Sequence, residues 1–99
     1  MEETTATPEI YRLKLYITGA SPNSAKAVNN IKNICEKFLK NRYVLEIIDI
    51  YQQPLLATTE QIIALPLLIK SYPLPAKRLI GNFADKEKVL KGLDLAEGL

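Results

Sequence analysis

An α/β domain is what this sequence predicts, with a βαβ unit as its first half. Three observations predict it. Apolar residues alternate with a period of two over "IYRLKLYI", residues 10–17. The period becomes helical from Pro22 onward. A second strand-like run, "YVLEIIDI", follows at residues 43–50. Strand, long helix and strand in that order make a unit of two parallel strands.

The elements follow in order. In the first strand Tyr11, Leu13, Leu15 and Ile17 share one face, and Arg12 and Lys14 the other. The turn "TGASPNS" then leads into a helix. Ser21 is placed to cap it, Pro22 to take its first position and Ser24 its third. Ala27, Ile31, Ile34 and Phe38 form the apolar stripe, with Val28 and Cys35 beside them, and the helix is expected to end near Lys40–Asn41. The second strand is more continuously apolar than the first, as a strand covered on both faces would be.

The second half is harder to divide. Pro54 breaks the chain, and "TTEQIIAL" reads as a short helix with Thr58 and Gln61 in capping-box spacing. "LPLLIKSY" and "AKRLIGNF" read as a hairpin around "SYPLP". "DKEKVLKGLDLA" reads as a last helix, capped by Asp85, with Val89, Leu90 and Leu93 on one face. The resulting order, βαβαββα, is thioredoxin-like. Gly92 inside the last helix costs about 1 kcal/mol relative to alanine. Asp94 near its end meets the negative pole of the helix dipole, at about 0.3–1 kcal/mol.

Composition excludes several functions. The 99 residues fit one domain, expected over 10–99 after an unstructured, acidic lead over 1–9 that lacks the features of a signal peptide. No apolar run reaches the ~20 residues that span a bilayer. Cys35 stands alone and histidine is absent, which removes internal disulfides, most zinc sites and histidine acid–base chemistry. A cytoplasmic location is expected. Thiol–disulfide exchange needs a thiolate, and Ser21 and Ser24 hold hydroxyls where a thioredoxin holds its pair. The net charge of +2 is too small to argue for nucleic acid. Six basic residues between Lys70 and Lys91 are opposed only by Asp85 and Glu87. Lys70, Lys77 and Arg78, with Lys26 on the first helix, are therefore the candidate contacts for an acidic protein partner.

Several stretches carry a resemblance over about Leu13–Leu95. They are Gly19 with Ser21-Pro22-Asn23-Ser24, Ile48-Asp49, Ala64 with Pro66, Ile80-Gly81, and Glu87-Lys88-Val89-Leu90 leading to Gly92-Leu93-Asp94-Leu95. Together they resemble the KaiB family. The resemblance implies a non-enzymatic regulator without cofactor that binds the hexameric ATPase KaiC and modulates its phosphorylation cycle, alongside KaiA and output histidine kinases. It also implies two folds. A homo-oligomeric ground state, tetramer or dimer, has the order βαββααβ, and a rarer thioredoxin-like monomer binds KaiC. The slow exchange is linked to proline isomerisation, so Pro66, Pro73 and Pro75 become fold-switch residues, with Gly92 and Asp94 holding the ground state in favour. Relatives in bacteria without KaiA imply a second role, in stress adaptation.

Overall fold

The computed structural model describes residues 9–62 and 64–95. Residues 1–8 of the expected lead lie outside the described residues; Glu9 and Ile10 carry no regular structure. The elements are β1 (Tyr11–Ile17), α1 (Pro22–Phe38), β2 (Tyr43–Asp49), α2 (Leu55–Thr59), β3 (Leu67–Tyr72), β4 (Lys77–Ile80) and α3 (Lys86–Gly92). This is the βαβαββα order of the sequence reading. The strands form one sheet in the order β2-β1-β3-β4. β1 pairs in parallel with β2, while β3 pairs antiparallel with β1 and β4.

The sheet has two apolar faces because its strands alternate. Leu13 and Leu15 of β1 and Leu68 of β3 point to α1 and α3, where they meet Ala27, Ile31, Ile34, Leu90 and Leu93. Tyr16, Ile48 and Leu67 point the other way and pack with Leu56 and Ala57 of α2. Since α2 has only five residues, it covers only part of that face.

Four expectations change at this level. β2 is an edge strand, not one covered on both faces. Of its apolar residues only Ile48 is buried, while Val44 and Ile47 remain 50% and 38% exposed. Helix α1 stops at Phe38, capped at Leu39, and Asn41 turns the chain in the left-handed region. The short helix begins after Pro54, which supplies the fixed φ of a helix start, so Thr58 lies in its last turn and Gln61, at φ 55°, lies beyond it. No capping box forms. Gly92 is the last residue of α3 rather than an interior one, and Asp94 lies past it at φ 60°. The Leu65–Pro66, Tyr72–Pro73 and Leu74–Pro75 peptide bonds are cis, the first directly before β3.

Candidate partner-binding surface

The β1–α1 corner is held by hydroxyls. Ser21 has extended backbone, and its Oγ accepts from the Ser24 amide at 3.1 Å, the bond that satisfies a free N–H of the first turn. Ser24 is buried. Its Oγ accepts from the Ser21 hydroxyl at 2.8 Å and from the Thr18 amide at 3.1 Å. These two side chains therefore tie the strand end to the helix start.

A second tie crosses from β2. The Asp49 carboxylate accepts from the Gly19 amide at 3.0 Å and the Tyr51 amide at 2.9 Å through one oxygen, Oδ1. Gly19 sits at φ 55°, and a Cβ there would lie 3.4 Å from the Tyr51 ring. Glycine thus supplies the left-handed turn, and the ring comes into ordinary van der Waals distance of it.

Cys35 cannot serve thiol chemistry. It is fully buried on the core side of α1, and burial pushes its thiol up to about 12. Its reaction with a water-soluble disulfide reagent at pH 8 is expected to be negligible in the folded chain and complete once urea unfolds it. Rapid labelling of the folded chain would contradict this placement.

The expected basic cluster separates. Lys70 is a correction: it is 1% exposed, since β3 lies inside the sheet and its side chain turns toward the α1 and α3 face. Its Nζ pairs with Asp94 at 3.2 Å and lies 5.8 Å from the centre of the Tyr11 ring. That pairing also corrects Asp94, whose charge turns to Lys70 instead of opposing the dipole of a helix that has already ended. Lys77 and Arg78 are neighbours on β4 and so leave the sheet on opposite faces. Arg78 is exposed, but its guanidinium donates to the backbone carbonyls of Glu60 at 2.6 Å and Gln61 at 3.3 Å, tying β4 to the end of α2. Lys77 is half-buried, and Lys26 is exposed on α1.

The residues that charge reasoning missed are apolar. Besides Val44 and Ile47, Tyr51 is 75% and Leu55 79% exposed, in and just after the loop that follows β2. Val44 and Ile47 leave β2 on opposite faces, and Tyr51 and Leu55 follow in the chain beyond the corner that Asp49 holds. An edge strand with unpaired backbone groups beside apolar side chains is a protein-binding surface in chemical kind. The only trace of it in the sequence is a mostly apolar run, interrupted by Glu46 and Asp49 and followed by Tyr51.

Comparison with known proteins follows the same line. A family model described as the KaiB domain matches residues 14–95. The circadian clock oscillator protein KaiB of Prochlorococcus marinus is 48% identical over 90 residues, covering 91% of this chain and 83% of the relative. The protein of that name from Synechococcus elongatus is 48% identical over 88 residues, covering 89% and 86%. Among solved structures, the N-terminal domain of Synechococcus elongatus SasA superposes with a TM-score of 0.70 at 22% identity, over 100% of this chain and 97% of that one. The thioredoxin Deadhead of Drosophila superposes at 0.68 with 11% identity, over 87% and 80%. These two superpositions show a thioredoxin-like fold.

Proposed function

The chain belongs to the KaiB family, and on that premise we propose that it binds a KaiC-type hexameric ATPase and modulates its phosphorylation cycle without catalysing a reaction itself. The setting is a circadian clock or a clock-like timer. The observation that carries this reading is a thioredoxin-like fold with hydroxyls at its β1–α1 corner and its one thiol buried, beside an apolar edge open to a partner. Relatives named for the clock oscillator, and the likeness of fold to a SasA domain, point the binding toward clock proteins. KaiA and output histidine kinases are the further partners of this reading, and the cytoplasm its compartment.

The thioredoxin-like conformer is the binding form in this proposal, in exchange with a homo-oligomeric ground state. Pro66, Pro73, Pro75, Gly92 and Asp94 all lie in the half that would rearrange. A partner that captures a minor form draws the equilibrium toward it, and the apparent affinity is lowered by the fraction competent to bind.

The chain mixed with the KaiC relative of its host and ATP is expected to form a complex that grows over hours on gel filtration. A chain that stays at its own elution volume throughout would remove the ATPase reading and leave the stress-adaptation role of some relatives.

A further inference from the structure

The two edges of the sheet differ. β4 is short, follows Pro75 and opens with Lys77 and Arg78, all features that discourage another strand. β2 is longer, has no proline or glycine, and keeps an unbroken register with β1 from Tyr43 to Asp49. Its mid-strand charge, Glu46, already has Lys14 of β1 beside it in that register. The direction of its backbone groups is also fixed. The Arg42 carbonyl accepts from the Tyr11 amide at 2.8 Å, and the Ile50 amide donates to the Ile17 carbonyl at 2.9 Å. Even-numbered residues of β2 therefore turn their backbone groups to β1. Tyr43, Leu45 and Ile47 turn theirs outward, where no strand meets them among the described residues. Their side chains share the α1 face, with Tyr43 and Leu45 against that core and Ile48 of the other set on the α2 side. The Tyr43 ring is held there by its hydroxyl, which donates to Glu36 Oε2 at 2.6 Å.

Symmetry limits how such an edge pairs with its own kind. A contact of β2 with β4 of another copy runs head to tail, whereas β2 with β2 closes about a two-fold axis. The position of the axis decides which residues meet. At Glu46 it sets two carboxylates directly opposite each other, which is unfavourable. At Ile47 it needs the Asp49 carbonyl, which already accepts from the Gln52 and Gln53 amides. At Val44 it carries Ile47 past the strand to Asn41, which lies in the left-handed region. An axis at Leu45 has none of these faults. Leu45 meets Leu45 and Tyr43 meets Ile47, all with outward backbone groups, and each pair exchanges two N–H···O=C bonds. The α1 face of the seam is then wholly apolar. On the other face Val44 lies opposite Glu46, so no like charges are directly opposed.

We infer that the chain in this fold pairs with a second copy of itself, β2 against β2, antiparallel about Leu45. The edge calls for a strand that is apolar at alternate outward positions and brings no carboxylate opposite Glu46, and β2 itself meets both demands. Few residues meet on each side, so the contact falls below the ~800 Å² per partner of a stable interface and the dimer forms only at high concentration. It joins the thioredoxin-like conformer, in contrast to the ground-state oligomer proposed above, and does not rest on the ATPase reading. A strand of another protein on the same edge would compete with it.

The test follows sedimentation and amide hydrogen exchange of the full chain from ~20 µM to ~1 mM, a range suited to an interface of this size. The average mass is expected to rise toward that of two chains. The amides of Tyr43, Leu45 and Ile47 are expected to exchange at least ~threefold more slowly at the top of the range, while those of Val44, Glu46 and Ile48, already bonded to β1, stay as they were. Ile47→Lys is expected to weaken the association ~tenfold, and Ile80→Lys on β4 to change it less than ~twofold. Ile47 lies outside both core clusters, so the substitution spares the fold, and the exchange pattern of the wild type needs no variant. A mass that stays that of one chain, association that leaves the three outward amides unchanged, or equal association by Ile47→Lys would overturn the inference. Association that alters the amides of β3 and β4 instead is the ground-state oligomer and overturns it too. If the ATPase does not bind but the alternating pattern appears, the partner reading fails and the pairing stands; the converse result removes the pairing alone.

Discussion

Asp49→Ala is expected to lower the stability of the fold by about 2–3 kcal/mol, because two backbone amides lose a charged acceptor at once. Gly19 N and Tyr51 N both donate to Asp49 Oδ1, at 3.0 and 2.9 Å. Each bond to a charged group is worth about 1.5–3 kcal/mol when neither partner is well solvated. The sum is reduced here because Asp49 is half-buried and water reaches the Tyr51 amide. Asp49→Asn keeps an oxygen in the same place and is expected to cost less than half as much. Urea midpoints of the three chains measure this order. An alanine variant within ~0.5 kcal/mol of wild type would mean that the Tyr51–Gly19 contact holds the corner unaided.

Much of the first half was legible because its signals are local. A change of period at Pro22, two serines at cap spacing and an apolar stripe through Ala27, Ile31 and Ile34 are each read within a few residues. Asp85 was legible as a cap for the same reason: its carboxylate accepts from the Lys88 amide, three residues on. What failed depended on distant neighbours. The apolar run of β2 does not reveal that β1 and β3 occupy the middle of the sheet, so the run was read as covered. The burial of Lys70 depends on Asp94, 24 residues away, and the engagement of Arg78 on carbonyls 17 and 18 residues away. A cluster of charges in sequence is therefore not a patch in space when alternate strand residues leave on opposite faces.

Phe83→Ala carries the largest expected loss, about 3–5 kcal/mol. Phe83 is 7% exposed and belongs to the cluster that joins β1, α1 and α3, yet its backbone sits at φ 64°. A bulky residue in the left-handed region costs about 1–2 kcal/mol, so the ring must return more than that by filling the core. The loop around it is held on both sides. Asn30 Nδ2 of α1 donates to the Asn82 carbonyl at 2.9 Å, and the Ala84 amide donates to Asn82 Oδ1 at 3.1 Å. This arrangement yields an unusual rank order. Phe83→Gly loses the same ring but removes the backbone strain, so it is expected to be about 1 kcal/mol more stable than Phe83→Ala, the reverse of the usual preference. Phe83→Leu keeps most of the apolar volume and is expected to cost under about 1.5 kcal/mol. An alanine variant more stable than the glycine one would sink the strained-anchor account. The same series tests the binding conformer. Phe83 belongs to the core that joins α3 to the sheet in this fold, so if this fold is the one that binds, as proposed, variants that weaken it should weaken complex formation with the ATPase in the order leucine, glycine, alanine. Undiminished binding by Phe83→Ala, with its stability lowered as expected, would mean that the partner engages the chain in another form.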